Sequence, residues 1–170
     1  MPALTAVMRP LVSSGNDTPV GCDYGQEAAM HLVLVGADFE ENLGLGMIAA
    51  AAGAAGHDGC IVPFNVADES ASVVSRVLAL RPDVVGLSIQ FQHRAAEFLA
   101  LARALRVAGF AGHLTCGGQF PTLAWREALS GDCSIDSIVL HEGEATIVDL
   151  LEAIDRGRPL ADVAGLAVRP

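Results

Sequence analysis

Five short apolar runs constrain the fold more than any other feature of this sequence. They span residues 31–36, 60–64, 83–89, 113–116 and 135–140, and the third of them, 83–89, shows no alternation of polar and apolar side chains. Continuous runs of Val, Ile and Leu are typical of strands buried on both faces of a parallel sheet. Segments of helical length separate the runs, and right-handed crossovers then place helices on both faces. The pattern predicts an α/β fold, a three-layer Rossmann-like (flavodoxin-like) sandwich with a five-stranded parallel sheet.

The clearest predicted helix covers residues 94–108, where Phe98, Leu101 and Leu105 share one face. Further helices are predicted at 42–55, 70–80, 125–129 and 145–155. Residues 43–56 form a charge-free stretch that is too short for a membrane span, so it predicts a buried helix. Residues 1–30 have no period and predict a flexible leader, which leaves residues 31–170 as one domain. No secretory signal is recognisable, and a cytoplasmic location is expected.

Charge and cysteine usage exclude several kinds of chemistry. All ten basic residues are Arg, against twenty acidic ones, for a net charge of −10. So acidic a chain repels phosphate backbones, and we expect neither a nucleic-acid nor a membrane partner. Without lysine there is no P-loop lysine and no Schiff base. Cysteines at 22, 60, 116 and 133 lack the spacing of a local zinc or iron–sulfur site. We therefore predict no metal site and no catalytic residue.

In parallel sheets, ligands bind beyond the carboxyl ends of the strands. The third predicted strand ends in Gly86 and Ser88, the fourth in Gly117-Gly118-Gln119, and the fifth runs into Glu142-Gly143. Glycines there let a bulky ligand approach the backbone. Each feature also has a structural explanation: a hydroxyl that satisfies a backbone group, a tight turn, or an acid in a first helical turn.

The first loop contains Gly44-x-Gly46-x-x-Ala49, which superficially matches a dinucleotide fingerprint. That fingerprint needs its first glycine at the strand end, whereas residues 37–43 intervene here. Close packing of a helix on the sheet explains the small residues better. Binding of a nucleotide or flavin remains a third, weaker hypothesis.

The strand-end loops, taken together, resemble the cobalamin-binding domain. That family carries D-x-H-x-x-G, then roughly 40 residues, S-x-L, then roughly 25–30 residues and G-G, in a Rossmann-like sandwich. Here 43 residues separate Gly44 from Ser88, and 26 separate Gln90 from Gly117. The segments 41–44, 81–88, 117–122, 142–146 and 160–169 look like the cobalamin-binding half of cobalamin-dependent radical S-adenosylmethionine enzymes.

Three departures from the family pattern matter. The cobalt-ligating histidine falls on Glu41 and its aspartate partner on Phe39, so the resemblance implies base-off cobalamin without a protein histidine on cobalt. Gln90 replaces the leucine of S-x-L. The C-x-x-x-C-x-x-C motif of the iron–sulfur cluster is absent, so this chain cannot cleave S-adenosylmethionine by itself. We expect either an excised domain or a subunit that serves a radical S-adenosylmethionine domain in cis or in trans.

The resemblance implies a module that carries methylcobalamin or hydroxocobalamin for a methyltransferase-type radical reaction on an unactivated carbon or a phosphinate. Cobalamin supplies the chemistry and the protein supplies binding. The alternative is a degenerate cobalamin-like fold that acts as a non-catalytic docking or regulatory module. The predicted cofactor-binding residues are Phe39, Glu41, Asn42, Leu43, Gly44, Gly86, Ser88, Gln90, Gly117, Gly118, Gln119, Glu142 and Gly143.

Overall fold

A computed structural model describes residues 30–38, 42–131 and 134–169. The residue 1–30 leader predicted from the sequence therefore lies, apart from Met30, outside the described residues. Strands and helices alternate along most of the described chain, as the apolar runs predict. The elements are β1 (His31–Gly36), α1 (Leu43–Ala54), β2 (Asp58–Pro63), α2 (Ser70–Leu80), β3 (Val84–Ser88), α3 (Ala95–Val107), β4 (His113–Gly117), α4 (Gln119–Leu123), α5 (Trp125–Gly131), β5 (Ser137–Val139), α6 (Glu144–Asp155) and β6 (Leu166–Val168).

The described strands form a single sheet in the order β2-β1-β3-β4-β5-β6. Neighbours from β2 to β5 are parallel, which confirms the Rossmann-like sandwich. The five-stranded count is wrong, because β6 adds a sixth, antiparallel strand at the edge. After α6 the chain reaches β5 from its carboxyl end, through a positive-φ turn at Gly165 (φ +77°). The three residues of β6 are too few to give a clear strand pattern in the sequence.

Two apolar layers cover the two faces of the sheet. On one face, Val85 and Leu87 of β3 pack with α2 and α3. On the other, Leu32 and Leu34 of β1 pack with α1 and α6, around Leu150. Consecutive strand residues therefore point into different layers, as the pleat requires. Both faces are buried, which is why the strands read as unbroken apolar runs.

Helix α1 departs from the buried helix that was predicted. Only Leu45 and Ala52 are buried, whereas Leu43 is 65% and Met47 is 55% exposed. The helix lies in the outer layer beside α6, so one side of it has no neighbour among the described elements. Its alanines and glycines allow close packing on the inner side without making the helix a core element. No described helix has the length and apolarity needed to cross a bilayer.

Candidate ligand cleft at the carboxyl edge of the sheet

A cleft of about 860 Å³ opens at the carboxyl ends of β3 and β4, on the α1 and α6 face of the sheet. Its walls come from β1, β3, β4, β5, the start of α1 and the start of α6. This is the edge at which parallel sheets bind their ligands. The lining residues are Leu34, Gly44, Leu45, Ile48, Gly86, Leu87, Ser88, Gln90, Phe91, Thr115, Cys116, Gly117, Gly118, Gln119, Thr122, Leu123, Val139, His141, Glu142, Gly143, Glu144 and Ile147.

Strand register sets the depth of the cleft. Ser88 pairs with Gly117 at the outer rung, and Gly86 pairs with both Leu34 and Thr115 two residues further in. Two residues of strand correspond to about 7 Å. Side chains two apart share a face, so the inner rung lies directly beneath the outer one. The cleft therefore extends from a mouth at Ser88 to a floor at Gly86.

Glycines keep the cleft open. A Cβ added to Gly86 would lie 2.9 Å from Cδ2 of Leu34, and one added to Gly143 would lie 2.7 Å from Cδ1 of Ile48. At Gly118 the φ of +107° is unfavourable for other residues, and a Cβ would lie 2.6 Å from the carbonyl oxygen of Ile89. Side chains at these positions would fill the cleft or push its walls apart.

The polar group on the floor is already engaged within the sheet. Thr115 donates its hydroxyl hydrogen to the carbonyl oxygen of Ser137 at 3.2 Å and accepts from the Ser137 hydroxyl at 2.9 Å. Nε2 of His113 then donates to Oγ of Ser137 at 2.8 Å. The methyl group of Thr115 lies on the Gly86 side, 3.8 Å from where a Cβ would stand. The floor thus presents hydrocarbon rather than a free hydroxyl.

Two groups near the floor remain uncharged. Burial lowers the pKa of His113; the nearby Asp136 carboxylate opposes this and Arg106 adds to it. Burial raises the pKa of Cys116 to about 12, and its side chain belongs to the α2 and α3 layer. Neither group brings charge to the cleft at neutral pH.

Asn42 organises the mouth on the α1 side. Its Nδ2 donates to the carbonyl oxygen of Ala37 at 3.0 Å, and its Oδ1 accepts from the backbone of Leu45, which caps the helix. The same Oδ1 accepts from Nε2 of Gln90 at 3.2 Å. Gln90, the departure from S-x-L, therefore links the loop after β3 to the start of α1.

The opposite side of the mouth is polar and acidic. Glu142 and Glu144 lie at the start of α6, and the Thr122 hydroxyl accepts from the backbone of His141. Among the lining residues that the structure describes, none is Arg, and His141 is the one imidazole. Free backbone N–H groups at the start of α6 are the groups that could hold an anion there. A dinucleotide would meet two carboxylates and no guanidinium.

Most of the predicted site residues meet at this cleft. Nine of them line it: Gly44, Gly86, Ser88, Gln90, Gly117, Gly118, Gln119, Glu142 and Gly143. Asn42 contacts the cleft through Gln90, while Leu43 is largely exposed and is not among the residues that line this cleft. Phe39 and Glu41 lie outside the described residues.

The sequence-based prediction missed the apolar wall. The apolar residues that line the cleft are Leu34, Leu45, Ile48, Val139 and Ile147. Each is indistinguishable from a core residue in the sequence, because three-layer sandwiches place such residues against every strand. Only the pairing register of β1 with β3 identifies Leu34 as a cleft residue, since it places Leu34 opposite Gly86. No cluster of three or more metal-ligating side chains occurs in the described ranges.

The fold and the cleft place the chain in a class of protein, the three-layer α/β domains with an open cleft at the carboxyl edge of a parallel sheet. The family model for the B12 binding domain matches residues 31–151. That is more than half of the chain, which therefore belongs to the B12 binding domain family.

Solved structures with the same fold include two cobalamin systems. The chain superimposes on the cobalamin-dependent S-adenosylmethionine radical enzyme OxsB, solved with aqua-cobalamin and S-adenosylmethionine bound, with a TM-score of 0.71 and 22% identity. That match covers 84% of this chain and 21% of OxsB. The methanol:cobalamin methyltransferase complex MtaBC from Methanosarcina barkeri gives a TM-score of 0.63 at 18% identity, covering 82% and 50% of the two chains.

A curated relative shares a shorter stretch. The anaerobic magnesium-protoporphyrin IX monomethyl ester cyclase of Synechocystis sp. is 42% identical over 53 residues. The match covers 31% of this chain and 11% of the cyclase. The chain thus spans only a small part of this relative and of OxsB.

Proposed function

We propose that the domain binds cobalamin with its nucleotide tail inserted between α1 and α6. The observation that carries the proposal is the open cleft above Gly86, which glycines keep free of side chains at both walls. A large flat cofactor with a long tail requires such a slot between sheet and helices. The degenerate-fold alternative predicts that the domain binds no cobalamin, and the visible spectrum described below separates the two.

The residues of the cleft fit the successive parts of this tail. Ser88, whose hydroxyl makes no side-chain hydrogen bond within the described residues, would contact the base or ribose from the outer rung. Gly117 and Gly118 would let the ribose and phosphate lie against the backbone. Gln119, Glu142 and Gly143 would flank the tail and the corrin edge.

Charge favours a corrinoid over a nucleotide. The single phosphodiester of cobalamin is offset by the positive cobalt centre, whereas a dinucleotide or flavin nucleotide brings uncompensated phosphates. The acidic mouth with no Arg disfavours the latter. This argument weighs against the hypothesis built on Gly44-x-Gly46.

We further propose base-off binding without a histidine on cobalt. Position 41 supplies a carboxylate in place of the family histidine. His141 follows β5, three strands away from the β1 loop in the sheet order. At about 4.8 Å per strand this is about 14 Å, too far to replace the missing imidazole.

The cofactor, when bound, would supply methyl transfer at cobalt, and this chain would hold and orient it. We propose that a radical S-adenosylmethionine domain, in cis or in trans, carries out a methyltransferase-type reaction in the cytoplasm. The fold shared with OxsB, a cobalamin-dependent S-adenosylmethionine radical enzyme, supports the radical part of this proposal. The Cys spacing of this chain supplies no cluster of its own.

The test is direct. Purified protein is mixed with hydroxocobalamin, desalted, and its visible spectrum is recorded at neutral pH. We expect retained colour in about equimolar amount with a base-off spectrum. The His141→Ala variant should give the same spectrum. Colourless protein would contradict cofactor binding, and a base-on spectrum would contradict the tail's insertion.

A further inference from the structure

The outer side of α1 carries no polar side chain. Every residue of this helix is Leu, Ile, Met, Ala or Gly. Met47, Ala50 and Ala54 are exposed and lie three or four residues apart, so they form one apolar stripe along the helix. A helix that is apolar on all sides is normally buried on all sides, and α2, α3 and α6 each carry charged residues. The stripe therefore indicates that a further segment covers α1.

A shallow groove of about 430 Å³ lies between α1 and α6, beside this stripe. Its lining residues are Ala51, Ala54, Ala55, Ala145, Val148, Asp149 and Glu152. The Ala and Val side chains supply hydrocarbon from both helices, and the two carboxylates belong to α6. Arg158 pairs with Asp149. Arg156 pairs with Glu152 at 2.9 Å, so both acidic charges are balanced. The groove therefore suits a mainly apolar segment.

The part of the chain that precedes β1 starts near this groove. Met30 is buried in the layer that contains α1 and α6, and its carbonyl oxygen accepts from the backbone of Asp58 at 2.9 Å. Asp58 follows the last residue of α1 by four positions. From residue 12 to residue 30 an extended chain spans up to about 60 Å, whereas α1 is about 18 Å long. Residues 1–12 can therefore reach any point along the groove.

Residues 1–12, which lie outside the described residues, have a composition that matches the groove. Eight of them are Met, Ala, Leu or Val, and Arg9 is their one charged side chain. No acidic residue precedes Asp17 in a chain whose net charge is −10. A second copy of the chain would bring its whole negative charge to the groove, whereas residues 1–12 bring a single positive one. Charge therefore favours this segment over a second copy as the occupant.

We propose that residues 1–12 bind in the groove between α1 and α6 and cover the apolar stripe. This interaction needs no ligand in the cleft, so it stands or falls separately from the proposed function. The first turns of both helices line the cleft, through Leu45 of α1 and Glu144 of α6. A segment that packs against both helices holds these two walls of the cleft at a fixed spacing.

Limited proteolysis of the full chain tests the proposal. Thermolysin cleaves beside accessible Leu and Val, and mass spectrometry follows cleavage within residues 1–12. Ala54→Arg fills the groove with a long side chain that repels Arg9. It should speed this cleavage about five- to twenty-fold, because cleavage of the wild type requires the segment to leave the groove. Equal cleavage rates in the wild type and in Ala54→Arg would overturn the proposal.

Ala79→Arg is the matched control, at an exposed position in the last turn of α2 in the opposite layer. Its cleavage rate should stay within about two-fold of the wild-type rate, since the groove is untouched. Acceleration equal to that of Ala54→Arg would contradict binding in the groove. Light scattering that shows a wild-type dimer and an Ala54→Arg monomer would assign the groove to a second copy, and would also overturn the proposal.

Hydrogen exchange keeps the proposal testable if Ala54→Arg folds poorly. Leu4→Asp combined with Val7→Asp puts two acids into the segment and leaves the described part of the chain unchanged. Amide exchange in peptides from residues 50–55 and 145–152 should then speed up about five-fold, while peptides from α2 keep the wild-type rate. Unchanged exchange along the groove would contradict the proposal.

Discussion

Glycines in this domain serve different purposes, and their surroundings distinguish them. Gly118 has a φ of +107°, and a Cβ there would approach the Ile89 carbonyl oxygen. Gly46 lies within α1, and a Cβ there would meet nothing within 4 Å. The first glycine is required by the backbone, whereas the second only weakens a helix.

Gly118→Ala and Gly46→Ala should therefore change stability in opposite directions. We expect the first to lower the free energy of unfolding by about 1–3 kcal/mol, through backbone strain and the close contact. The second should raise it by about 0.5–1 kcal/mol, because alanine favours the helix. Urea denaturation of both variants gives the comparison. A stable Gly118→Ala protein would show that the β4 turn can relax.

Ser88 lies at the mouth of the cleft, where a large side chain should block the entry of a ligand. A tryptophan there would occupy the cleft between β3 and α1, because Ser88 lines this cleft together with Gly44 and Leu45. Ser88→Trp should abolish retention of hydroxocobalamin after desalting while the far-UV circular dichroism stays unchanged. Ser75→Trp, on the exposed side of α2, is the matched control and should bind normally. Normal loading of Ser88→Trp would place the ligand elsewhere.

At the scale of elements, one buried guanidinium joins β2 to α3. Arg94 is 7% exposed and donates to the Phe64 carbonyl oxygen at 3.1 Å and to Glu97 at 2.7 Å. Its guanidinium also lies over the rings of Phe64 and Phe98, at 5.3 and 5.2 Å from their centroids. This arrangement fixes the start of α3 and with it the loop that carries Gln90.

Arg94→Met should lower the free energy of unfolding by about 2 kcal/mol, because the Phe64 carbonyl loses its partner and the ring contacts disappear. Arg156→Met removes an exposed pair with Glu152 and should cost less than about 0.5 kcal/mol. Chemical denaturation measures both. Equal effects in the two variants would show that the Arg94 arrangement contributes no more than a surface ion pair.

For the molecule as a whole, we expect the free energy of unfolding to depend on pH through the titration of His113. Burial lowers its pKa below the ordinary value of 6.5, so the folded state prefers neutral imidazole. Asp136, whose carboxylate lies 3.9 Å from Nδ1, and Arg106 are the charged groups beside it. Below about pH 6.5 the unfolded chain binds a proton that the folded chain resists. This contribution to stability is therefore present above pH 6.5 and is lost as the pH falls.

Urea unfolding between about pH 7.5 and about pH 5.5 should show stability falling toward acid. His113→Asn should flatten this slope, since it removes the titrating group. A wild-type slope retained in His113→Asn would assign the pH dependence to other groups.

The amino-acid sequence alone predicts the parallel sheet, which the structure confirms, and the edge of that sheet at which we expect a ligand. Both follow from local patterns, since buried parallel strands are unbroken apolar runs and glycines at their carboxyl ends are visible one strand at a time. The spacing from Gly44 to Ser88 and to Gly117 also pointed to the family that the residue 31–151 match then showed.

The residues that line the cleft are recognisable only in the three-dimensional structure. Leu34, Val139 and Ile147 look like core residues in the sequence, and they line a cavity only because α1 and α6 leave space above Gly86. The same holds for Thr115, whose hydroxyl is taken up by a strand 22 residues away. The antiparallel pairing of β6 with β5 likewise depends on where α6 ends relative to the edge of the sheet. Such features arise from contacts between distant segments, and no local pattern of side chains encodes them.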